Sequence, residues 1–182
     1  MTTSTQPTTL TGEYVIDPAH TRIGFVARHA MVTKVRGGFN EFAGTAHLDG
    51  DNSSVELTIQ AASIDTRNAD RDGHLRSNDF FAMDEYPEIT FRSTSVKWGD
   101  NENVEITGDL TIKGTTRPVT IPFTFDGQAT DPFGNLRLGF EGSVTINRKD
   151  FGVSWNATLE TGGVLVSEKV VLEFEVSAIK QA

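Results

Sequence analysis

The chain has 182 residues, the length of one ordinary domain, and its 25 acidic against 16 basic residues give a formal charge of −9. This charge repels phosphate backbones and anionic lipid headgroups, so we expect neither nucleic-acid binding nor a polybasic membrane anchor. Cysteine is absent, which excludes disulfides, thiolate metal ligands and a cysteine nucleophile. We therefore expect a single domain over residues 13–182.

The first predicted segment is a tail over residues 1–12. It is rich in threonine, and we predict that it is disordered because it has too little apolar surface to offset its ordering entropy. It lacks the basic start and apolar stretch of a secretory leader, and no run of about 18 apolar residues follows anywhere in the chain. We therefore expect a cytoplasmic protein with no integral membrane segment.

From Tyr14 onward, apolar and polar residues alternate, which is the two-residue repeat of a strand with one buried face. Turn sequences rich in Gly, Asp, Asn and Pro separate most of these runs. Because a parallel return would need a crossover helix that the sequence lacks, the strands are predicted to be antiparallel. Eight strand candidates follow in chain order: 23–29, 39–48, 55–61, 89–98, 104–112, 119–125, 136–146 and 170–176.

Two strand candidates contain an irregularity. The apolar positions change parity between Phe91 and Val96, which predicts a β-bulge. Pro122 stands on the polar side of its strand, where it cannot donate to a ladder, and this predicts a sheet edge or a bulge.

Residues 68–84 do not alternate at all. We predict an insert with a short helix that Asn68 or Asp70 caps and that runs to about Leu75, although Gly73 weakens it.

Eight antiparallel strands of this kind form a barrel or a two-sheet sandwich, and alternation does not separate the two. The interior of an eight-stranded barrel is filled by side chains or holds one elongated small ligand. Phenylalanine dominates the aromatic residues, with 12 Phe against 2 Trp and 2 Tyr. The inward glycines Gly108 and Gly142 predict room along the axis. The alternative is that they relieve strain at bends while phenylalanine fills the middle.

Several short strings occur in order along the chain, at residues 17–21 (DPAHT), 63–66 (SIDT), 71–75 (RDGHL), 79–81 (DFF), 86–91 (YPEITF) and 108–115 (GDLTIKGT). From about Tyr14 to Ala178 the chain resembles the YceI-like family of lipocalin-like polyisoprenoid-binding proteins. This resemblance implies an all-β fold, an extended eight-stranded antiparallel lipocalin-like barrel whose pore takes a polyisoprenoid or another long-chain lipid. It implies binding, transport or storage and no enzymatic activity.

We predict that the inward side chains bind the apolar chain. They are Phe25, Ala27, Leu57, Ile59, Phe91, Ile106, Leu110, Phe123, Leu138, Phe140, Val144, Leu172 and Phe174. Four widely spaced histidines and the lack of phosphate-binding or dinucleotide motifs predict neither a metal site nor a cofactor.

Polar contacts to a ligand headgroup are expected near the barrel mouth. His29 shares the inward side of its strand, and Arg71 and His74 belong to the densest cationic cluster of the chain. Arg148 is a further inward or rim candidate. The alternative is that these side chains bond to neighbouring carbonyls or carboxylates and only fix loops.

Two other functions remain open. One is an enzyme that acts on an amphiphile, with His29 or His74 as general base and an arginine holding the headgroup. The other is a packed barrel without a pocket that serves as an interaction module, with a possible homodimer through the strand edge near Pro122. A filled interior would favour the packed barrel over both the carrier and the enzyme.

Overall fold

The computed structural model describes residues 10–100, 102–156, 159 and 165–181. Within these residues the chain forms eleven strands and one short helix, α1 (Ala69–Arg76). The strands are β1 (Thr11–Ile16), β2 (Arg22–His29), β3 (Thr33–Phe39), β4 (Phe42–Asp49), β5 (Ser54–Gln60), β6 (Ile64–Asp65), β7 (Glu88–Trp98), β8 (Asn103–Ile112), β9 (Thr115–Thr130), β10 (Leu136–Asn147) and β11 (Lys169–Lys180).

Eight of these strands form a closed antiparallel barrel in the order β1-β4-β5-β7-β8-β9-β10-β11. The ring closes where β1 pairs with β11, with Tyr14 opposite Lys180. The strands β2, β3 and β6 extend the same sheet, because β2 pairs with β11, β3 with β2, and β6 with β3. The predicted eight-stranded antiparallel barrel is therefore confirmed.

The additional strands arise from breaks in longer ones. β1 and β2 follow one another along β11 and are separated by a 3-10 turn at Pro18–His20. The carboxylate of Asp17 caps this turn by accepting the N–H of Ala19 at 3.0 Å. Likewise β3 and β4 are separated at residues 40–41, and β5 and β6 by a second 3-10 turn. Three long strands are thus each divided into two.

The predicted bulge in β7 is confirmed. The register of β7 against β8 shifts between Ser93 and Ser95. The one extra residue in β7 turns the apolar side chains after it inward again, and both Phe91 and Val96 are therefore buried.

The sheet edge predicted at Pro122 is also confirmed. β9 pairs with β10 only as far as Phe123, which lies opposite Gly142. Residues 115–122 of β9 pair only with β8, and residues 143–147 of β10 pair only with β11. The barrel wall therefore contains an unpaired seam between β9 and β10.

The predicted insert is present and contains α1. Asn68, not Asp70, caps the helix, since its side-chain oxygen accepts the N–H of Arg71 at 3.0 Å. The buried carboxylate of Asp72 accepts the backbone N–H of Thr66 at 2.9 Å and its hydroxyl at 2.5 Å. These bonds hold the insert against one end of the barrel, which we call the insert end.

The opposite end, which we call the terminal end, contains the start of β1, the end of β11 and the turn between β9 and β10. Leu10 is buried there and β1 begins at Thr11, so the predicted disordered tail is wrong for residues 10–12. The rest of that tail, residues 1–9, lies outside the described residues. No helix in the described part of the chain is both long and apolar enough to cross a bilayer.

Candidate functional site

The barrel encloses an apolar cavity with a volume of about 230 Å³. Its lining extends from Tyr14 and Ala178 at the terminal end to Phe80 and Phe151 at the insert end. For comparison, an apolar cavity of roughly 150 Å³ in another protein takes up benzene. Side chains therefore do not completely fill this interior.

Most of the side chains predicted to bind the apolar chain line this cavity, because the alternation of each strand turns them inward. They are Phe25, Ala27, Leu57, Ile59, Phe91, Ile106, Leu110, Phe123, Leu138, Phe140, Leu172 and Phe174. Val144 packs against the same core without lining the cavity. Contact of these residues with a ligand stays a prediction.

The inward glycines do not widen the cavity, and the expectation that they leave room along the axis is wrong. A Cβ atom on Gly108 would lie 2.6 Å from the ring of Phe91 and 2.5 Å from the carbonyl oxygen of Arg92. A Cβ atom on Gly142 would lie 2.7 Å from the ring of Phe123. Rings of neighbouring strands occupy the space that these glycines free.

At the terminal end, the polar atoms of the lining bond to backbone outside the cavity. The hydroxyl of Tyr14 donates to the carbonyl of Thr11 at 3.3 Å, and burial raises the pKa of this hydroxyl. The indole N–H of Trp98 donates to the carbonyl of Gly50 at 3.0 Å. These two side chains therefore present only their rings to the cavity.

At the insert end, Arg148 is the one charged side chain among the described residues that line the cavity. It is 6% exposed, and its guanidinium donates to the carbonyls of Val153 at 2.6 Å, Ser167 at 2.8 Å and Val166 at 3.2 Å. Burial lowers the pKa of Arg148, and the nearby carboxylate of Glu168 opposes this effect. No carboxylate of the described residues lies within ion-pair distance of Arg148.

The other predicted headgroup contacts lie outside the cavity lining. His29 is exposed at the end of β2. Arg71 donates from Nε and Nη2 to the hydroxyl and carbonyl oxygens of Thr66, both at 2.7 Å. His74 bonds to the carboxylate of Asp79 at 2.9 Å. Arg71 and His74 thus brace the insert, and ligand contact by all three residues stays a prediction.

Sequence reasoning missed the side chains that the insert contributes to the cavity. Leu75, Phe80 and Phe81 all line its end. The signal was available, since two adjacent phenylalanines within a polar stretch need burial somewhere. Their direction was not available, because the insert has no regular period to indicate a face.

Known proteins are similar to this chain in sequence and in fold. The model of the YceI-like domain matches residues 14–178. The chain is 40% identical over 177 residues to a UPF0312 protein of Pseudomonas aeruginosa, covering 94% of this chain and 89% of that protein. The crystal structure of Burkholderia cenocepacia BcnA has a TM-score of 0.79 at 25% identity, covering 89% of this chain and 98% of that chain.

A domain from Saccharophagus degradans, described as polyisoprenoid-binding, shares the fold with a TM-score of 0.71 at 14% identity. The match covers 92% of this chain and 98% of that domain. Because the family model spans nearly the whole barrel and the P. aeruginosa relative is similar over the same length, the chain belongs to the YceI-like family.

Proposed function

We propose that the protein binds, carries or stores a polyisoprenoid or another long lipid-like chain inside the barrel. The observation that carries this proposal is the apolar cavity whose lining extends from Tyr14 to Phe151. The description of the S. degradans domain as polyisoprenoid-binding supports the class of ligand.

The hydrophobic effect alone gives such a cavity affinity. Burying one methylene group is worth about 0.8 kcal/mol, which is roughly a fourfold gain in affinity for each added carbon. The part of the site that is already formed limits the entropy lost on binding. The volume of about 230 Å³ is below the range of roughly 300 to 1000 Å³ for pockets that bury whole ligands, so a long chain would widen the barrel.

The alternatives have less support. His29 is exposed, and His74 bonds to Asp79, so neither proposed general base faces the cavity. A packed interaction module is disfavoured by the open interior. A homodimer through the free edge of β9 is disfavoured. Pro118 and Pro122 are four residues apart, so both face the same edge of the strand, and neither has a backbone N–H to donate to a partner strand.

Extraction of the purified, folded protein with organic solvent tests the proposal directly. We expect mass spectrometry of the extract to detect a long-chain lipid. Protein that yields no lipid and also takes up none from a mixed lipid extract would contradict the proposal.

A matched pair of variants on β4 tests the location of the ligand. Ala46 lines the cavity, whereas Ala43 is exposed on the outer face of the same strand. We expect Ala46→Phe to weaken binding of a fluorescent fatty probe by roughly tenfold or more, because its ring displaces several methylene groups. Ala43→Phe places the same ring in solvent and should leave the dissociation constant unchanged.

Fluorescence titration measures both dissociation constants, and circular dichroism checks that both variants fold. Equal binding by the two folded variants would show that the chain does not enter the cavity.

A further inference from the structure

We propose that the cavity holds its amphiphile in one direction, with an oxyanion head at Arg148 and the apolar tail towards Trp98. The chemical class is a long chain that ends in a carboxylate or a phosphate. This inference rests on the proposed function, because it assigns the head chemistry and the orientation of the chain held in the same cavity.

Arg148 has more donors than its protein acceptors use. A guanidinium has five N–H groups and no acceptor. Each of its three nitrogens donates once to a backbone carbonyl, of Val153, Val166 or Ser167. Among the residues that the structure describes these are its only acceptors, so two N–H groups, one on Nη1 and one on Nη2, are left for a ligand at the end of the cavity.

The charge of Arg148 is not balanced by a contacting carboxylate of the described residues. Backbone carbonyls supply dipoles and no negative charge, and an arginine without a paired anion is costly to bury. The nearest anion, Glu168, is half exposed and bonds to Lys149 at 2.8 Å. A carboxylate or phosphate that enters the cavity would therefore meet a cation that no described side chain neutralises by contact. The planar fork of arginine suits two-oxygen recognition of such groups.

The two ends of the cavity differ in the donors that they offer. The polar atoms of Tyr14 and Trp98 are committed to the carbonyls of Thr11 and Gly50. An anion placed at the terminal end would lose its hydration and gain no side-chain donor from the described lining, which is unfavourable. An alkyl tail has no hydrogen bonds to water, so it loses none when it is buried at the terminal end. The two ends together favour one orientation.

Contact quenching of tryptophan tests this orientation with Arg148 intact. The chain has two tryptophans: Trp98 lines the terminal end, and Trp155 lies at the insert end with its ring 5.3 Å from that of Phe80. Trp155→Phe and Trp98→Phe each leave one reporter. Hexadecanoate is then bound with bromine either on the terminal carbon or next to the carboxylate.

We expect bromine on the terminal carbon to quench Trp98 more strongly, and bromine beside the carboxylate to quench Trp155 more strongly. The opposite pattern, or equal quenching of both tryptophans by both ligands, would overturn the inference. A merely structural role of Arg148 would not produce the expected pattern.

A series of ligands with one chain length and different head groups tests the chemical class of the head. Hexadecanoate, hexadecyl phosphate, hexadecanol and hexadecylammonium compete with a neutral fluorescent probe for the cavity. We expect at least one of the two oxyanions to bind about tenfold or more tighter than the alcohol, and hexadecylammonium to bind more weakly than the alcohol. The tighter oxyanion identifies the head.

Arg148→Gln should reduce the preference for oxyanions over the alcohol to about twofold or less. Lys149→Gln removes the exposed neighbouring cation and should keep the preference. If Arg148→Gln does not fold, the quenching experiment still tests the orientation, because it uses protein with Arg148 intact. Failure of the probe and of all four ligands to bind would count against the proposed function, whereas binding of the probe without a preference for an oxyanion over the alcohol would overturn only this inference.

Discussion

Two inward glycines of this barrel each pack against a phenylalanine ring of a neighbouring strand. Gly108 and Gly142 lie beneath the rings of Phe91 and Phe123, so aromatic side chains cover the backbone where a neighbouring strand has no side chain. Alternation predicts that these residues face inward, but it does not show which ring lies on which glycine. That arrangement depends on register and on the bulge in β7.

A pair of glycine-to-alanine variants tests this packing. We expect Gly108→Ala to lower the free energy of unfolding by about 1–3 kcal/mol, because its Cβ would overlap a backbone carbonyl and a ring. Gly73 lies in α1 with no atom near the position of its Cβ, so Gly73→Ala should raise that free energy by about 0.5–1 kcal/mol. Urea denaturation measures both changes, and an unchanged Gly108→Ala variant would refute this account.

At the scale of elements, the strands could be predicted and the insert only in part. The change of parity between Phe91 and Val96 was visible in the sequence, and so was the missing donor of Pro122. β1 was not predicted, since the strand candidates begin at residue 23, and so its continuation into β2 along β11 was not predicted either. The side-chain directions of Arg71 and His74 depend on contacts with Thr66 and Asp79 that no local pattern encodes.

The insert is expected to control how fast a chain leaves the cavity. Asp72→Ala would leave the buried N–H of Thr66 without its acceptor, at a cost of about 1–3 kcal/mol. Because Phe80 and Phe81 cover the cavity from this insert, we expect a bound fatty probe to dissociate faster. Stopped-flow displacement measures the rate.

Asp70→Ala is the control for this change. Asp70 is exposed in the first turn of the same helix, where it gains only about 0.3–1 kcal/mol from the helix dipole. Its dissociation rate should remain close to that of the unmodified protein. If both variants release the probe at the same rate, the insert does not control ligand release.

At the scale of the whole molecule, Arg137 links distant parts of the terminal end. Its guanidinium bonds to Asp17 at 2.7 Å, just after β1, and to Asp131 at 2.8 Å, in the turn between β9 and β10. Arg137, assisted by His20, lowers the pKa of Asp17 from 3.8 to about 2. Arg137 also lowers the pKa of Asp131, with help from Asn135.

This network predicts a specific loss of stability in acid. A carboxylate with a lowered pKa stabilises the fold above its unfolded pKa, and the contribution disappears as the pH falls through the folded value. We expect Arg137→Met to lower the free energy of unfolding at pH 7, and this deficit to shrink between about pH 4 and pH 2. Denaturant titrations across that range measure it.

Arg36→Met is the matched control, since Arg36 is 60% exposed and reaches Glu173 only at 3.4 Å. It should change the free energy of unfolding little at any pH. A deficit of Arg137→Met that stays constant down to pH 2 would show that the pairing does not depend on ionised Asp17 and Asp131.

The seam between β9 and β10 affects the circumference of the barrel. No hydrogen-bonded ladder joins residues 115–122 to residues 143–147, so the circumference at that level is not fixed by the backbone. Separating the two strands there would break side-chain contacts and no strand-to-strand hydrogen bonds. If the barrel binds chains of different thickness, we expect it to adjust its diameter at this seam.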